Sequence, residues 1–499
     1  MWRATGLLPT RSGNSSTIRP ELLRRVALWG VALFIACWFL YFAGRGIWAP
    51  ITGDDLMNLH GYLLQTPRTL LLDNLRYWST AYRPLGGLLY VGLYHLFGFT
   101  SLPFRLVCFA LLGFNLVLLF RFCRLLSGSN EVAATATLLV GYHAWFTDLY
   151  YSSGTIYDVL CFTFFFAALD LYISIRRASR LPSLWETLLL IVLYISALNA
   201  KEMAVTLPLF LGIYECLYHP QQLRPILRWP LKEGRTMVLT GLLTIPYAIV
   251  KTTGPGSLAE QPLYHLTISP LRFFKTFHLY LNPLFYRDLF FHDSNTGELL
   301  AAMLVFAVLR RSRSLLFALF FLLLSMLPVA FIPHYSAFFL YIPIAGWALY
   351  GADTLVWGRK VLLRGIAGSD APGLVMVSQA ILFLGLAAIL VPLHKRESPA
   401  VMRLFLSQEP AVGELTSGLL RIQPHLKRGA HVLFVDDPFP KDQYLLVFIT
   451  RLVYGDMTIE IDRTAVQPRS DAEYRNYDAV FHFRAGHLAT PDATLERNQ

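Results

Sequence analysis

Residues 24–56 read RRVALWGVALFIACWFLYFAGRGIWAPITGDDL, and this stretch decides the class of fold. The run from Val26 to Ala43 carries no charge and is long enough to cross the hydrocarbon of a bilayer. Arg24 and Arg25 precede it, with Arg3, Arg11 and Arg19 farther back, and Gly44-Arg45-Gly46 follows in place of a small-residue cleavage site. It reads as a retained first membrane helix whose basic N-terminus, residues 1–25, lies in the cytoplasm. Just beyond it stand two adjacent carboxylates, Asp54 and Asp55.

The rest of the chain agrees with that opening. Of 499 residues 55% are hydrophobic and only 15% charged, against roughly 25% charged in an average soluble protein. With 36 Phe, 25 Tyr and 10 Trp the chain is too apolar for disorder. The net charge of +11 does not indicate nucleic acid, because the Lys and Arg fall in short clusters between apolar runs and act as topology signals. Cys37, Cys108, Cys123, Cys161 and Cys216 lie in apolar segments without CxxC or His/Cys spacing, so neither disulfides nor zinc are expected.

Apolar stretches near 26–43, 104–124, 131–149, 155–175, 184–200, 203–218, 236–251, 296–309, 314–332, 336–356 and 373–393 suggest an α-helical polytopic protein with about eleven spans. With the N-terminus inside, the basic clusters at 121–124, 176–180, 224–235, 310–313 and 359–364 all fall on the cytoplasmic side. Residues 46–103 then form a long first outer loop. Two apolar stretches, 85–99 and 268–286, would break this charge bias as spans and are expected as amphipathic helices on the outer leaflet. The membrane domain covers 26–393. Residues 394–499 turn polar, with strands expected at 429–435, 457–461 and 477–483 and a helix at 443–454: a small extracytoplasmic α/β domain.

Candidate chemistry gathers on the outer side. The pair Asp54-Asp55 reads either as a general base with a helper carboxylate or as a helix cap with a solvated neighbour. Arg83, in Tyr82-Arg-Pro-Leu85, and Arg105 suit phosphate, or simple anchoring at the interface. Asp158 lies about one turn inside a span, where a carboxylate faces protein or a water-filled cavity. Lys201 and Glu202 read as a tight-turn pair that neutralises itself. His143 and His334, the latter followed by Tyr335, stand near outer membrane edges, and Asp436-Asp437-Pro438 reads as a strand-ending turn.

Taken together, the acidic pair after the first span, Tyr82-Arg-Pro-Leu85 before Phe97-Gly98, Ala200-Lys-Glu-Met-Ala-Val-Thr-Leu-Pro208 and Leu340-Tyr-Ile-Pro343 resemble the GT-C membrane glycosyltransferases, especially the protein O-mannosyltransferase branch. The resemblance covers about residues 50 to 350. It implies an inverting transfer of sugar from a polyprenyl-phosphate carrier on the outer face of the plasma (inner) membrane. By position, Asp54 and Asp55 supply the catalytic base, and Arg83, Arg105 and Lys201 hold the lipid phosphate. Asp158, Glu202, His334 and Tyr335 are the candidates for orienting substrate. The family's late motif usually follows a Glu-Arg pair, where this chain has Ala337-Phe338, and no tetratricopeptide period follows the membrane part. The acceptor is therefore open between protein, lipid and polysaccharide, as in the similar lipid A aminoarabinose transferases. No cofactor is implied, and a divalent metal is left open. The competing class is a transporter or flippase of a lipid-linked sugar, against which stand the absence of repeated halves and the concentration of charge at the outer edge.

Overall fold

The computed structural model describes residues 20–489 except 52, 224–227, 254–259, 261–263, 287–294, 368–371, 407–408 and 485–486. Readings of the basic N-terminus before residue 20 and of part of the 224–235 cluster lie outside the described residues.

Helix dominates. Among the described residues six segments are long and apolar enough to cross a membrane: Val26–Trp48, Ser101–Ser127, Ile156–Arg177, Arg235–Thr253, Arg313–Ala330 and Gly373–Pro399. They belong to α1 (Pro20–Ala43), α5 (Ser101–Ser127), α8 (Ile156–Arg177), α11 (Arg235–Thr253), α14 (Arg313–Leu324) with α15 (Leu327–Ala330), and α17 (Pro372–Leu406). Between them run α6 (Asn130–Gly141), α7 (Thr147–Tyr151), α9 (Leu184–Ala200), α10 (Leu207–Tyr218), α12 (Pro270–Leu284), α13 (Asn295–Leu309) and α16 (Ile344–Ala367). This is the architecture of a helical membrane protein. The stretch at 131–149 is not one continuous helix. Its helix stops at Gly141, where Tyr142 and His143 turn extended and the His143 ring accepts from the Trp145 amide. Short, Ala- and Thr-rich α6 is buried between α5 and α16 and packs on α1 as well.

The core is aromatic. Phe162 and Phe166 stack at 4.1 Å, and Phe210 and Phe321 meet at 4.4 Å, joined by Phe122, Phe165 and Phe317. Such pairs add about 0.5–1.5 kcal/mol each beyond their buried area. Elsewhere small residues bring backbones together. A Cβ on Gly346 would lie 2.7 Å from the Ala318 carbonyl oxygen and the Leu322 nitrogen, so α16 crosses α14 in backbone contact. Gly346→Val is expected to lower the thermal midpoint in detergent, at a cost of about 1–3 kcal/mol for overpacking. Gly358→Val, on the same helix with nothing within 4 Å of its would-be Cβ, should change it little.

The loop from 46 to 103 folds into α2 (Asp54–Leu63), α3 (Pro67–Leu75) and α4 (Pro84–Phe97), which cap one end of the bundle. The stretch expected as a surface helix at 85–99 is α4, but protein covers one of its faces. A Cβ on Gly86 would strike the Tyr157 ring and one on Gly87 the Tyr62 ring, so two glycines let α4 bed onto α8 and α2. Gly92 and, in its last turn, His95, Leu96 and Phe97 are exposed. The other expected surface helix is two-faced: α12 buries Phe277, Tyr280, Leu281 and Leu284 and exposes Leu271, Phe274 and Leu279.

Beyond α17, α18 (Glu409–Ile422) leads to a four-stranded sheet of order β2-β1-β3-β4, formed by β1 (His431–Val435), β2 (Glu460–Arg463), β3 (Ala479–Arg484) and β4 (His487–Ala489). β1 is parallel to β2 and β3, β4 is antiparallel to β3, and α19 (Leu445–Tyr454) makes the β1-to-β2 crossover. β2 begins three residues later than expected because Gly455 turns left-handed (φ 66°) and Asp456 accepts from the Thr458 amide at 2.9 Å. Asp437 is buried against Arg463, 2.5 Å away, consistent with a structural turn after β1. α19 packs on α2, so this domain and residues 46–103 occupy the same end of the bundle.

Candidate functional site

Arg83 is the N-cap of α4, with Pro84 in the first turn behind it and a left-handed φ of 41° that only a well-fixed residue of this size holds. The Tyr62 hydroxyl fixes it, lying 3.0 and 3.2 Å from the carbonyl oxygens of Tyr82 and Arg83 and 3.1 Å from the Tyr157 hydroxyl. The guanidinium rests on the Tyr82 and Tyr157 rings, 4.6 and 5.0 Å from their centroids. One of its terminal nitrogens donates to Glu202 at 3.2 Å, while its buried Nε has no hydrogen-bond partner among the described residues.

Lys201 and Glu202 do not neutralise each other, contrary to the tight-turn reading. α9 ends at Ala200, Lys201 is extended (φ −163°, ψ 150°), and a 3-10 turn starts at Glu202, so the two side chains diverge. Lys201 Nζ sits 2.5 Å from Asp158 Oδ1 and lies over the rings of Phe338 and Phe339, at 4.5 and 4.6 Å. Phe338 thus stands at one of the two positions, 337 and 338, where the resemblance leads one to expect Glu-Arg. Both charges of the Lys201–Asp158 pair are buried, which is tolerable only because they are paired. Burial, reinforced by Arg83, holds the Lys201 ammonium below its ordinary value despite Asp158. Burial opposes ionisation of Glu202, yet Arg83, with Lys201 and Lys251, outweighs it and keeps the carboxyl below its ordinary value.

These groups border a cavity of about 210 Å³. Arg83, Lys201, Glu202, Lys251 and Tyr264 are charged or polar side chains of its lining, and Val205, Leu327, Val329 and Ile332 are among the apolar ones. Lys251, in the last turn of α11, donates to the Ala81 carbonyl at 2.6 Å. Burial raises the Tyr264 phenol above its ordinary value, and it feels Arg83, Glu202, Asp54 and Asp158 together. His334 stacks obliquely on Tyr264 at 5.3 Å, and burial with Lys201 and Arg83 lowers its basicity. Tyr335 is exposed, stacks on Tyr280 at 4.7 Å and does not line the cavity.

The acidic pair begins α2. Its N-cap is Gly53, with φ 50° and no side-chain hydrogen bond, so Asp54 and Asp55 occupy the first turn instead of the cap position. There the helix dipole favours negative charge. Asp54 is exposed, whereas Asp55 is fully buried and takes hydrogen bonds from Ser152 Oγ at 3.2 Å and the Tyr90 hydroxyl at 3.4 Å. Gly154 makes room for both: a Cβ there would stand 2.9 Å from Asp54 Cβ and 3.3 Å from Asp55 Oδ1.

Arg105 lies under this pair rather than in the cavity. It is fully buried, and its nitrogens donate to the carbonyls of Gly46 (2.9 Å) and Tyr150 and to Ser153 Oγ (3.1 Å). It ties the segment after α1 to α7 and to the turn before α8, which in turn carries Ser152 and Gly154.

The sequence reading passed over Lys251, Tyr264, the Tyr62–Tyr157 pair and Asp148. Lys251 was legible as a lone cation closing an apolar run, but nothing local marks the tyrosines. Asp148, on α7, has its carboxyl raised to about 6 by burial and by Asp54. A folded-state value above the ordinary one means that the folded protein holds this proton more tightly. The stability contributed is present below about pH 4 and lost as pH rises through 6. Asp148→Asn is therefore expected to raise the thermal midpoint at pH 7.5 and to leave it nearly unchanged at pH 4. An equal loss at both pH values would mean that the carboxylate is needed for packing or hydrogen bonding.

Among the described residues no group of three or more His, Cys, Asp or Glu is placed to hold a metal ion. What the arrangement offers is an accessible carboxylate at a helix N-terminus and, separately, a cavity lined by three cations and by aliphatic side chains. Compared with known proteins, the chain matches no family model and no curated protein.

Proposed function

We propose that this chain is an inverting, GT-C-type glycosyltransferase that moves a sugar from a polyprenyl-phosphate donor to a protein, lipid or polysaccharide acceptor on the outer face of the plasma membrane. In this reading residues 26–393 form the membrane domain with about eleven spans, the N-terminus is cytoplasmic, and residues 46–103 and 394–499 are outside. The observation that carries the proposal is the cavity itself, whose lining combines the cations Arg83, Lys201 and Lys251 with aliphatic side chains. An anionic head on an apolar tail suits a lining of that mixed character.

The chemistry follows from the charges. Asp54 takes the proton from the acceptor hydroxyl or amine as its oxygen or nitrogen attacks the anomeric carbon. The bond from that carbon to the phosphate oxygen breaks on the opposite face, and the phosphate leaves with the electron pair. Arg83, with a donor not yet used, and Lys251 stabilise the charge that grows on it. Asp158 holds Lys201 against the aromatic faces, and Glu202 keeps Arg83 aimed at the cavity.

Purified protein in lipid nanodiscs, given a panel of polyprenyl-phosphate sugars with cell-envelope acceptors, should release polyprenyl phosphate and form a product of inverted anomeric configuration. No release from any donor, combined with saturable movement of the intact lipid across vesicles, would overturn the proposal in favour of transport.

A further inference from the structure

We propose that the C-terminal domain is a positioning element for the acidic helix: through Arg451 and Phe448 on α19 it grips His60 and so sets where Asp54 and Asp55 stand. The catalytic half of this inference rests on the function proposed above.

α2 depends on its neighbours to hold it in place. It has only 10 residues, about 15 Å of helix, and an isolated helix of that length is marginal in water. Its N-cap is a glycine that supplies no side-chain bond, so the end bearing the two carboxylates is fastened through Asp55, buried against Ser152 and Tyr90, and not by capping. Inner-face packing by Leu56, Leu59 and Tyr62 sets its height, but the opposite end is fixed by the C-terminal domain.

That contact is specific. Arg451 Nη1 lies 3.2 Å from His60 Nε2, so the imidazole accepts there and carries its proton on Nδ1. Burial first, then Arg451, lowers the basicity of His60, which keeps the ring in this neutral, accepting form. Arg451 is itself aimed by its Nε, which donates to the Ile459 carbonyl at 2.9 Å just before β2. The Phe448 ring packs on the same imidazole at 4.8 Å. One turn farther along α19, the Leu452 carbonyl accepts from the Tyr94 hydroxyl of α4 at 2.7 Å. The domain therefore holds α2 and α4 together, and these two helices start with Asp54-Asp55 and with Arg83. With Asp55 anchored, release of the His60 end would let α2 swing about that anchor and re-aim Asp54 relative to the phosphate-binding cations, and misplacement by about 1 Å can cost roughly 100-fold in rate.

The test uses the full chain in nanodiscs and reads two quantities. The first is backbone hydrogen exchange in residues 54–63, which needs no substrate. The second is transfer from the donor that the panel above identifies. Arg451→Ala and His60→Leu should each speed exchange in α2 by about tenfold or more. They should lower kcat by a similar factor with little change in KM for the donor. His60→Gln, which retains an acceptor, should restore most of both, a rescue that simple loss of folding would not give. Unchanged exchange in both disruptive variants overturns the clamp, and faster exchange with unchanged kcat overturns its link to the base. If the wild-type chain transfers no sugar at all, the proposed function fails, while the exchange comparison still decides the clamp.

Discussion

Replacing Asp54 by Asn should lower turnover by roughly 100-fold or more while leaving donor binding intact, because the amide keeps the shape of the carboxylate and loses its proton affinity. The two aspartates should not behave alike. Asp54 is exposed at the start of α2, where an acceptor reaches it, whereas Asp55 is buried against Ser152, Tyr90 and the turn at Gly154. Asp55→Asn should therefore disturb folding and the placement of its neighbour, with a fall in thermal midpoint accompanying any fall in rate. Release of polyprenyl phosphate, donor binding and thermal unfolding measured on the same preparations separate the two cases. Full activity in a well-folded Asp54→Asn protein would take the acidic pair out of the mechanism and turn attention to Glu202.

The second large effect is expected at Lys201. Lys201→Met removes the partner of a buried carboxylate, and breaking such a pair from one side costs about 3–5 kcal/mol. Much of that loss should return in the double variant Lys201→Met/Asp158→Leu, in which apolar side chains replace both charges. Donor use should not return with it, because the cavity has still lost a cation. Thermal unfolding of the two variants beside wild type, with titration of polyprenyl phosphate, checks both halves. A double variant that recovers stability and donor affinity together would make the pair purely architectural.

Several features of this molecule were open to reading from the chain alone. The first span, the two-faced helix at 270–284 and the strand after Gly429 all follow from periodicity and composition, since each depends on neighbours within a few residues. The motif residues Arg83, Lys201 and Glu202 were also legible. Their partners were not, because Asp158 and Glu202 are chosen by where α8, α9 and α4 meet, and adjacency in sequence suggested a Lys201–Glu202 pair that the extended backbone at Lys201 forbids. Arg105 illustrates the same limit. An arginine near a membrane edge suggests a phosphate, but its donors are spent on carbonyls of segments brought together only by tertiary packing. The early end of α6 at Gly141 was not legible either, since a helix enclosed by protein need not match the thickness of lipid.

Helix α17 also has a mechanical meaning. It runs unbroken for 35 residues, about 52 Å, and its apolar part of 27 residues is about 40 Å long against a hydrocarbon thickness of roughly 30 Å. The surplus has to be absorbed by tilt or by protrusion. The end that leaves the membrane has Pro392 and Pro399 inside the helix, where a bend can take up part of any tilt. That end carries the sheet domain, whose α19 rests on α2. A tilt imposed by bilayer thickness would therefore reach the helix of the two carboxylates only through that bend and the sheet domain.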